Sequence, residues 1–566
     1  MFQNIICTLF QNFQIRLTLK KTVVASIIND PLSAVVPYFF TLYGNSSNLL
    51  FNKYTVLSSS GVKQGDPLGP LLFCLAVNQI IVKFQEKFPD FKIVGYMDDL
   101  TLVGEPTEME EAMAYFGSLA KEIGLCLNAK KCLIIVRNDS TQLFYEEVEV
   151  PSINFNEDAV RLLGSFIGNS SKVQSLLEKQ LEIFENELSM VSDFSIPKQL
   201  KFAFLRLCYS SKFNHIFRTC PPSLSLCFGQ KYNSVRTKFI ANLLNVSPDF
   251  IPSHAFSSFN YGGLGITKAS ILTKSAFLGG IRNFLYEFER RFPLISLNNS
   301  PSPILREASN LIESLPNSLW SKLFPLDVEI MEKSIINLKF TVRKLQNKLK
   351  NLLENDSFLN NFSLAKERNV KLYNLLMENS SFNSVPSSSY LLSIVPKKFG
   401  LNLDDEDFLT CIRLRLNMDP GIILSNSLCL CGKPASFDHV VCCARFNWCR
   451  TVIHNNVINV LDNACKSLGV VSNTEPVLNQ LVHNKSQWKS KSRGDLHIEW
   501  SDSRELIIDA TTVCFKSESN LKKSYTNAID VLKVAEHSKV KKYSDSIKLL
   551  NQSRQKSWNL FHLPSH

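Results

Sequence analysis

The segment from Ile93 to Gly104 constrains this chain more than any other. Ile93-Val94-Gly95-Tyr96 and Leu100-Thr101-Leu102-Val103 are β-prone runs flanking Asp98 and Asp99, a pattern that predicts a β-hairpin with two carboxylates at its tip. Adjacent carboxylates repel unless a cation screens them, and their natural complement is Mg²⁺, a hard ion that prefers oxygen ligands. A solvated Asp-Asp turn is the competing reading of the hairpin taken alone. Upstream, Ser60-Gly61-Val62-Lys63-Gln64-Gly65-Asp66-Pro67-Leu68-Gly69-Pro70 leads into an apolar helix, with Asp66 and Pro67 placed as an N-cap and first-turn pair. Gly61 and Gly65 let the backbone come close to a bulky ligand such as a nucleotide sugar or a template strand.

A chain of 566 residues exceeds what one core organises, which predicts roughly three or four domains. With 45% hydrophobic and 20% charged residues it is neither collagen-like nor mainly disordered. The richest apolar stretch, Leu71 to Val82, contains Asn78 and Gln79 and is too short to cross a bilayer, so no membrane span is expected. Met1 to Phe10 lacks a basic leader and a small-residue cleavage site, which points to an intracellular protein. The net charge of +11 favours polyanions, and the segment from Leu481 to His566, with 15 basic and 9 acidic side chains, holds +6 of it. Fifteen cysteines in such a chain are expected to be reduced, with metal binding only where their spacing is tight.

The fold class is α+β and multidomain. Strand and helix signals mix from Pro31 to Gly168, long helical periods such as Leu176, Leu177, Leu181 and Phe184 run on towards Leu353, and Ser380 to Ser389 has a linker composition. The segment from Met331 to Leu353 is expected to be one helix, whose Lys333, Lys339, Arg343, Lys344, Lys348 and Lys350 either follow a phosphate backbone or form a solvated face. Cys429, Cys431, His439 and Cys443 supply three thiolates and an imidazole, the ligand set of a structural Zn²⁺; Cys442 remains an alternative to Cys443, and buried free cysteines the competing reading. Gly432 permits the tight turn after the second cysteine. Asp495 and Asp509, on neighbouring strands, can hold a divalent ion such as Mg²⁺ that activates water against a phosphodiester. Lys539, Lys542 and Tyr543 fall on one side of a helix downstream. Two exposed aspartates near a basic helix are the alternative.

Gln64-Gly65-Asp66-Pro67-Leu68 followed by Tyr96-Met97-Asp98-Asp99 closely resembles the reverse transcriptases. The order of polymerase palm, helical thumb, Cys-and-His knuckle and two-carboxylate pattern resembles the polyprotein of a non-LTR retrotransposon over roughly residues 31 to 560. The resemblance implies a partial right-hand polymerase palm, a helical thumb, a small zinc knuckle and a C-terminal α/β restriction-like nuclease. It divides the chain into an unmatched segment at 1–30, partial fingers and palm at 31–169, thumb and connection at 170–330, a helical linker region at 331–425, a CCHC-type knuckle at 426–460 and the endonuclease at 480–566.

By the same resemblance Asp98 and Asp99 belong to the metal-binding palm, Tyr96 and Met97 lie near the primer end, and Gln64 and Gly65 line the template or incoming nucleotide. Lys131, after Gly124-Leu125-Cys126-Leu127-Asn128, approaches the triphosphate, and Leu163-Gly164 matches the primer-grip hairpin. Asp495, Asp509, Lys539 and Lys542 take the nuclease roles, Thr511 standing where the parent nuclease fold has lysine. His454-Asn455 stands where relatives carry Arg-His-Asn, with Ile453 in place of the arginine. The family's first palm aspartate motif has no counterpart, since Asp30 is the only acidic residue before Asp66. Either the chain starts inside the pattern or the polymerase is dead. The implied activity is target-primed reverse transcription with Mg²⁺ and Zn²⁺ as cofactors. Its partners are an RNA template, a DNA target and primer, and dNTPs, in the nucleus; a catalytically dead nucleic-acid-binding remnant and a nuclease-only protein are the alternatives.

Overall fold

In a computed structural model of the chain, the β-prone runs on either side of Asp98 pair as the sequence predicts. The structure describes residues 5–8, 36–58, 62–63, 65–136, 143–292, 297, 302–368, 403–420, 427–476, 493–500, 505–512, 533–542, 560–561 and 564–565. It divides into two compact units, Met1–Gln180 and Leu181–His566.

In the first unit, β1 (Ile5–Thr8) is followed by α1 (Val36–Tyr43), the hairpin of β2 (Ser47–Phe51) and β3 (Tyr54–Ser58), and the long helix α2 (Gly69–Lys87). The central hairpin is β4 (Lys92–Tyr96) and β5 (Asp99–Gly104); α3 (Met109–Glu122) and β6 (Leu133–Val136) come next. Two short hairpins and a strand complete the unit: β7 (Leu143–Tyr145) with β8 (Val148–Val150), then β9 (Ser152–Asn154), then β10 (Ala159–Leu162) with β11 (Ser165–Gly168). The main sheet has the order β4-β5-β1-β6-β9, antiparallel except where β9 lies parallel to β6. Alternation in β5 buries Leu100 and Leu102 under the sheet, where Phe73, Val77, Ile80 and Phe84 of α2 and Met113 and Phe116 of α3 close over them. Leu163-Gly164 forms the tight turn between β10 and β11.

The boundary between the units falls within α4 (Ser170–Asp193). The second unit continues as helices α5 (Asn214–Thr219), α6 (Pro222–Leu244), α7 (Ala269–Arg291), α8 (Pro303–Ser314), α9 (Leu345–Arg368) and α10 (Asp405–Arg415). Phe277, Leu278 and Ile281 of α7 share a core with Ile312, Trp320, Leu345 and Leu349. Three buried arginines stitch loops to these helices through backbone carbonyls: Arg236 donates to Thr267, Arg282 to Thr341, and Arg415 to Gly263 and Phe259. Burial lowers the Arg236 guanidinium to about 10.

The expected helix from Met331 to Leu353 begins only at Leu345; a 3-10 turn at Ile336–Phe340 precedes it. Tertiary hydrogen bonds overrule the helical pattern there. The Trp320 indole donates to the Met331 carbonyl at 2.8 Å, and Lys333 donates to the carbonyls of Glu313 and Leu315.

Further on stand α11 (Phe437–Cys442), α12 (Asn447–Ser467), β12 (Val471–Thr474), β13 (Leu496–Glu499) and β14 (Glu505–Ile508), then a helix over 533–542, here α13, and β15 (Leu560–Phe561). These strands form one mixed sheet in the order β12-β13-β14-β15, with β15 parallel to β14. Ile458, Leu461 and Cys465 of α12 pack on Leu496, Ile498 and Ile508 of that sheet. The Ser380–Ser389 segment lies outside the described residues. Among the described residues no helix is long and apolar enough to cross a membrane.

Candidate functional site

Tyr96 pairs with Asp99 across the hairpin, so Met97 and Asp98 are the two residues of its turn. Met97 takes φ 56°, a left-handed conformation that costs a non-glycine residue about 1–3 kcal/mol and holds the tip in one geometry. Asp98 and Asp99 emerge side by side and half-buried. Burial and then the Asp98 charge hold the Asp99 carboxyl above its ordinary value. That is the signature of a carboxylate pair that a dication relieves, and Mg²⁺ is commonly held by one or two carboxylates plus substrate phosphates. The two residues therefore fit the ion. Tyr96 is 67% exposed beside them, and Cys74 of α2 stands 3.9 Å from the Met97 sulfur, which sets the start of α2 against the turn.

The loop entering α2 is clasped from behind. Asp66 does not cap the helix as the sequence predicts, since α2 begins three residues later. Its carboxylate accepts from the Leu68 N–H at 3.1 Å and, through the other oxygen, from the Tyr43 hydroxyl. Tyr43 in turn accepts from the Lys63 N–H, and Lys63 donates to the Leu42 carbonyl at 2.6 Å. Burial and then the Asp66 hydrogen bond push the Tyr43 phenol up to about 12, which keeps it a donor. Gly65, at φ 89° and with open space where a side chain would stand, is fixed in this clasp. Tyr43 is a contributor that the sequence reading missed, because no local spacing ties it to Asp66. Gln64 and Gly61 lie outside the described residues; Lys131 is exposed in a 3-10 turn, Ala129–Lys131. The strand bordering β5 on its other side is β1, and its residues Ile5, Ile6, Cys7 and Thr8 carry no carboxylate.

In the second unit the four expected zinc ligands converge, with all donor atoms within 4.8 Å of one another. Cys429 and Cys443 sulfurs are 3.6 Å apart, and the Cys431 sulfur is 3.1 Å from His439 Nε2. Tetrahedral coordination with Zn–S bonds near 2.3 Å requires sulfurs about 3.7 Å apart, so the set fits the ion. Gly432 turns the chain at φ 80°, and the Ser436 hydroxyl accepts from the His439 N–H to start α11. The Lys433 backbone N–H, with Cys429, His439 and Cys443 beside it, lowers the Cys431 thiol to about 6, favouring the thiolate that binds metal. The Cys442 side chain lies outside the described set.

Asp495 and Asp509 stand at the ends of β13 and β14, joined by the Asp495 N–H to Ile508 carbonyl bond at 2.9 Å. One Asp495 oxygen accepts from the Ala510 N–H at 2.6 Å and faces His454 Nε2 at 3.0 Å. Asp509 is buried and ion-paired to Lys539 of α13. Lys539 reaches the carboxylates as expected, whereas Lys542 lies at the exposed end of the same helix; Tyr543 is outside the described residues. Against burial, which lowers it, hydrogen bonds to Asn455 and Asp495 hold His454 above its ordinary value. His454 thus joins the cluster despite the missing arginine beside it. Two carboxylates backed by a lysine are a donor set that fits a divalent ion.

Residues 13–167 match the family described as reverse transcriptase (RNA-dependent DNA polymerase), a span containing both the Gly65–Asp66 turn and the Asp98–Asp99 hairpin. Over 82 residues the chain is 32% identical to the retrotransposable element SLACS 132 kDa protein of Trypanosoma brucei gambiense. The aligned stretch is 14% of this chain and 7% of that protein, so the chain spans only a small part of its relative's length. The first unit is accordingly similar to a reverse transcriptase domain.

Proposed function

We propose that the chain is an RNA-directed DNA polymerase of a non-LTR retrotransposon that acts by target-primed reverse transcription. The observation that carries this reading is the paired carboxylate tip of the β4–β5 hairpin, set against a clasped glycine turn in a unit similar to reverse transcriptases. Asp98 and Asp99 would hold Mg²⁺, which supplies charge stabilisation for the attacking and leaving oxygens of phosphoryl transfer. Tyr96 offers the primer end an exposed ring, Gly65 leaves room for the nucleotide sugar, and Lys131 presents its ammonium to the triphosphate. The thumb, knuckle and nuclease assignments belong to this same reading, with Zn²⁺ ordering the 426–460 segment and a nuclear site of action where the DNA target lies. Purified protein with Mg²⁺, dNTPs and a primed RNA template is expected to extend the primer, and Asp98→Ala with Asp99→Ala to abolish extension. No extension from folded, zinc-loaded protein would sink the polymerase reading.

A second reading, a nuclease-only protein, is favoured by two separate observations: the assembled cluster of Asp495, Asp509, Lys539 and His454, and a β1 strand in the first unit that brings no carboxylate to the hairpin. In this cluster Lys539 neutralises Asp509, while His454 and the Ala510 N–H fix one Asp495 oxygen and leave the other for a metal. This reading expects Mg²⁺-dependent nicking of DNA that is lost in Asp495→Ala and Asp509→Ala and indifferent to Asp98→Ala. Nicking that survives both of the first two substitutions would overturn it.

A further inference from the structure

Where α9 begins, the second unit carries a cationic surface that its own acids leave alone. Arg343, Lys344 and Lys348 are exposed, and among the described residues none of the three has an ion pair or a hydrogen-bonded acid. Elsewhere in the second unit cations face glutamates: Lys212 with Glu187, Lys238 with Glu185, Arg290 and Arg291 with Glu287, and Lys339 with Glu289. Glu354, one turn beyond Lys350, is buried and accepts from the Thr267 hydroxyl at 2.9 Å. The first turn of α9 contains no acidic residue at all. Buried Arg282 sits close enough to Arg343 to feel its charge.

Packing fixes where this surface points. Gly279 and Gly280 of α7 admit close neighbours on both sides, Gln346 of α9 against the first and the Arg218 carbonyl of α5 against the second. Arg218 then donates to Gln346 at 2.6 Å and adds a further exposed guanidinium at the patch edge. Asn347, between Lys344 and Lys348, and Asn351, beyond them, present exposed amides on the same helical arc. Positions 345 to 351 extend about 9 Å along the helix, with Arg343 and Lys344 in the turn just before it, a span suited to a short run of strand rather than a single ion.

Like charges held together cost stability, and at the positive end of a helix they oppose its dipole as well. An outside polyanion offsets both terms. We infer that this face, from Arg343 to Asn351 with Arg218 at its edge, binds single-stranded RNA: Arg343, Lys344 and Lys348 take the phosphates, and Asn347 and Asn351 take the 2′-hydroxyls, which donate and accept as an amide does. The inference deepens the proposed reading by naming a nucleic-acid surface in the second unit, outside the polymerase-like unit. It does not depend on the palm being active.

The test measures binding of a short single-stranded RNA, and of DNA of the same sequence, to the full chain without dNTPs across a salt series. Arg343→Gln with Lys344→Gln and Lys348→Gln is expected to weaken RNA binding roughly tenfold or more and to cut the slope of log K against log salt by about 2, near 0.7 per lost phosphate contact. Asn347→Ala with Asn351→Ala is expected to erase a preference for RNA over DNA while leaving that slope unchanged. A comparison triple, Lys212→Gln with Lys238→Gln and Arg291→Gln, removes the same charge from glutamate-paired positions. Equal weakening by both triples would mark net charge alone and overturn the inference. Equal loss of RNA and DNA binding in the first triple, with no effect of the amide pair, would make the occupant DNA as readily as RNA and overturn it too. Because no nucleotide is incorporated in this assay, a failed primer extension leaves its outcome readable, and a failed binding result leaves extension standing.

Discussion

At the scale of single residues, the candidate sites contain groups held away from their ordinary titration. Burial and then the Asp98 charge push Asp99 up, a cost that a bound dication would relieve, and the Lys433 backbone N–H leads in drawing Cys431 down, which favours the thiolate that binds metal. His254 shows the opposite, structural use of burial. Its imidazole is 6% exposed, and burial followed by the Arg415 charge lowers it from 6.5 to about 4. The folded state thus keeps His254 neutral while the unfolded chain takes up a proton below pH 6.5. Stability is full above that value and falls as pH drops towards 4, by up to about 3 kcal/mol. In urea titrations followed by the helical circular dichroism signal, the wild-type midpoint is expected to fall more steeply between pH 7.5 and pH 4.5 than that of His254→Gln; parallel curves would refute this. The zinc set gives a second expectation. Cys443→Ser is expected to abolish bound zinc in metal analysis, whereas Cys442→Ser retains it, since among the described side chains Cys443 stands within reach of the other three ligands. Both aspartate pairs and the Cys-and-His set were legible in the sequence because their members sit close in the chain or in a marked pattern. The Tyr43–Asp66 and His454–Asp495 contacts were not, because each joins residues brought together only by tertiary packing.

At the scale of elements, local pattern and tertiary demand part company in instructive places. The β4–β5 hairpin and α2 follow their periodicity because one face of each is buried against the same core. The 331–344 segment carries a helical pattern and yet forms a 3-10 turn, because the Trp320 indole takes the Met331 carbonyl and Lys333 reaches out to the Glu313 and Leu315 carbonyls. Helix α7 poses the same conflict at a single glycine. An alanine at Gly280 would gain about 1 kcal/mol in helix propensity. Its Cβ would stand 2.5 Å from the Arg218 carbonyl, a backbone atom of α5 that cannot swing aside. Overpacking of this kind costs about 1–3 kcal/mol and outweighs the propensity gain. Gly280→Ala is therefore expected to lower the thermal midpoint of the helical signal, and an unchanged or raised midpoint would show that α5 is free to shift. The same close approach places Arg218 against Gln346, so the substitution is also expected to weaken RNA binding at the α9 face, read in the salt series above.

At the scale of the whole molecule, the two carboxylate centres belong to different compact units, Asp98 and Asp99 to the first and Asp495 and Asp509 to the second. The sequence order already implied this separation, since the two motifs lie far apart and each sits among its own strands. The residues of β1 as the neighbour of β5 were not legible, because four apolar and small residues carry no signature of which strand they join. Separate centres make separable steps. In the proposed target-primed scheme the Asp495–Asp509 centre would create the 3′-hydroxyl that the Asp98–Asp99 centre extends, so loss of the former should matter only when no primer end is supplied. Asp495→Asn with Asp509→Asn is expected to abolish both nicking and cDNA synthesis on intact duplex DNA with an RNA template. On a duplex that already carries the nick, the same variant is expected to synthesise cDNA at close to the wild-type rate, because the two centres are built in different compact units and share no side chain. Asp98→Asn with Asp99→Asn should give the reverse pattern: nicking at the wild-type rate and no synthesis on either substrate. Should the nuclease variant fail on the pre-nicked duplex while its zinc content and helical signal match wild type, the two centres would be interdependent and the ordered scheme would fall. Should the palm variant synthesise cDNA normally, the carboxylate tip would be an ordinary turn after all.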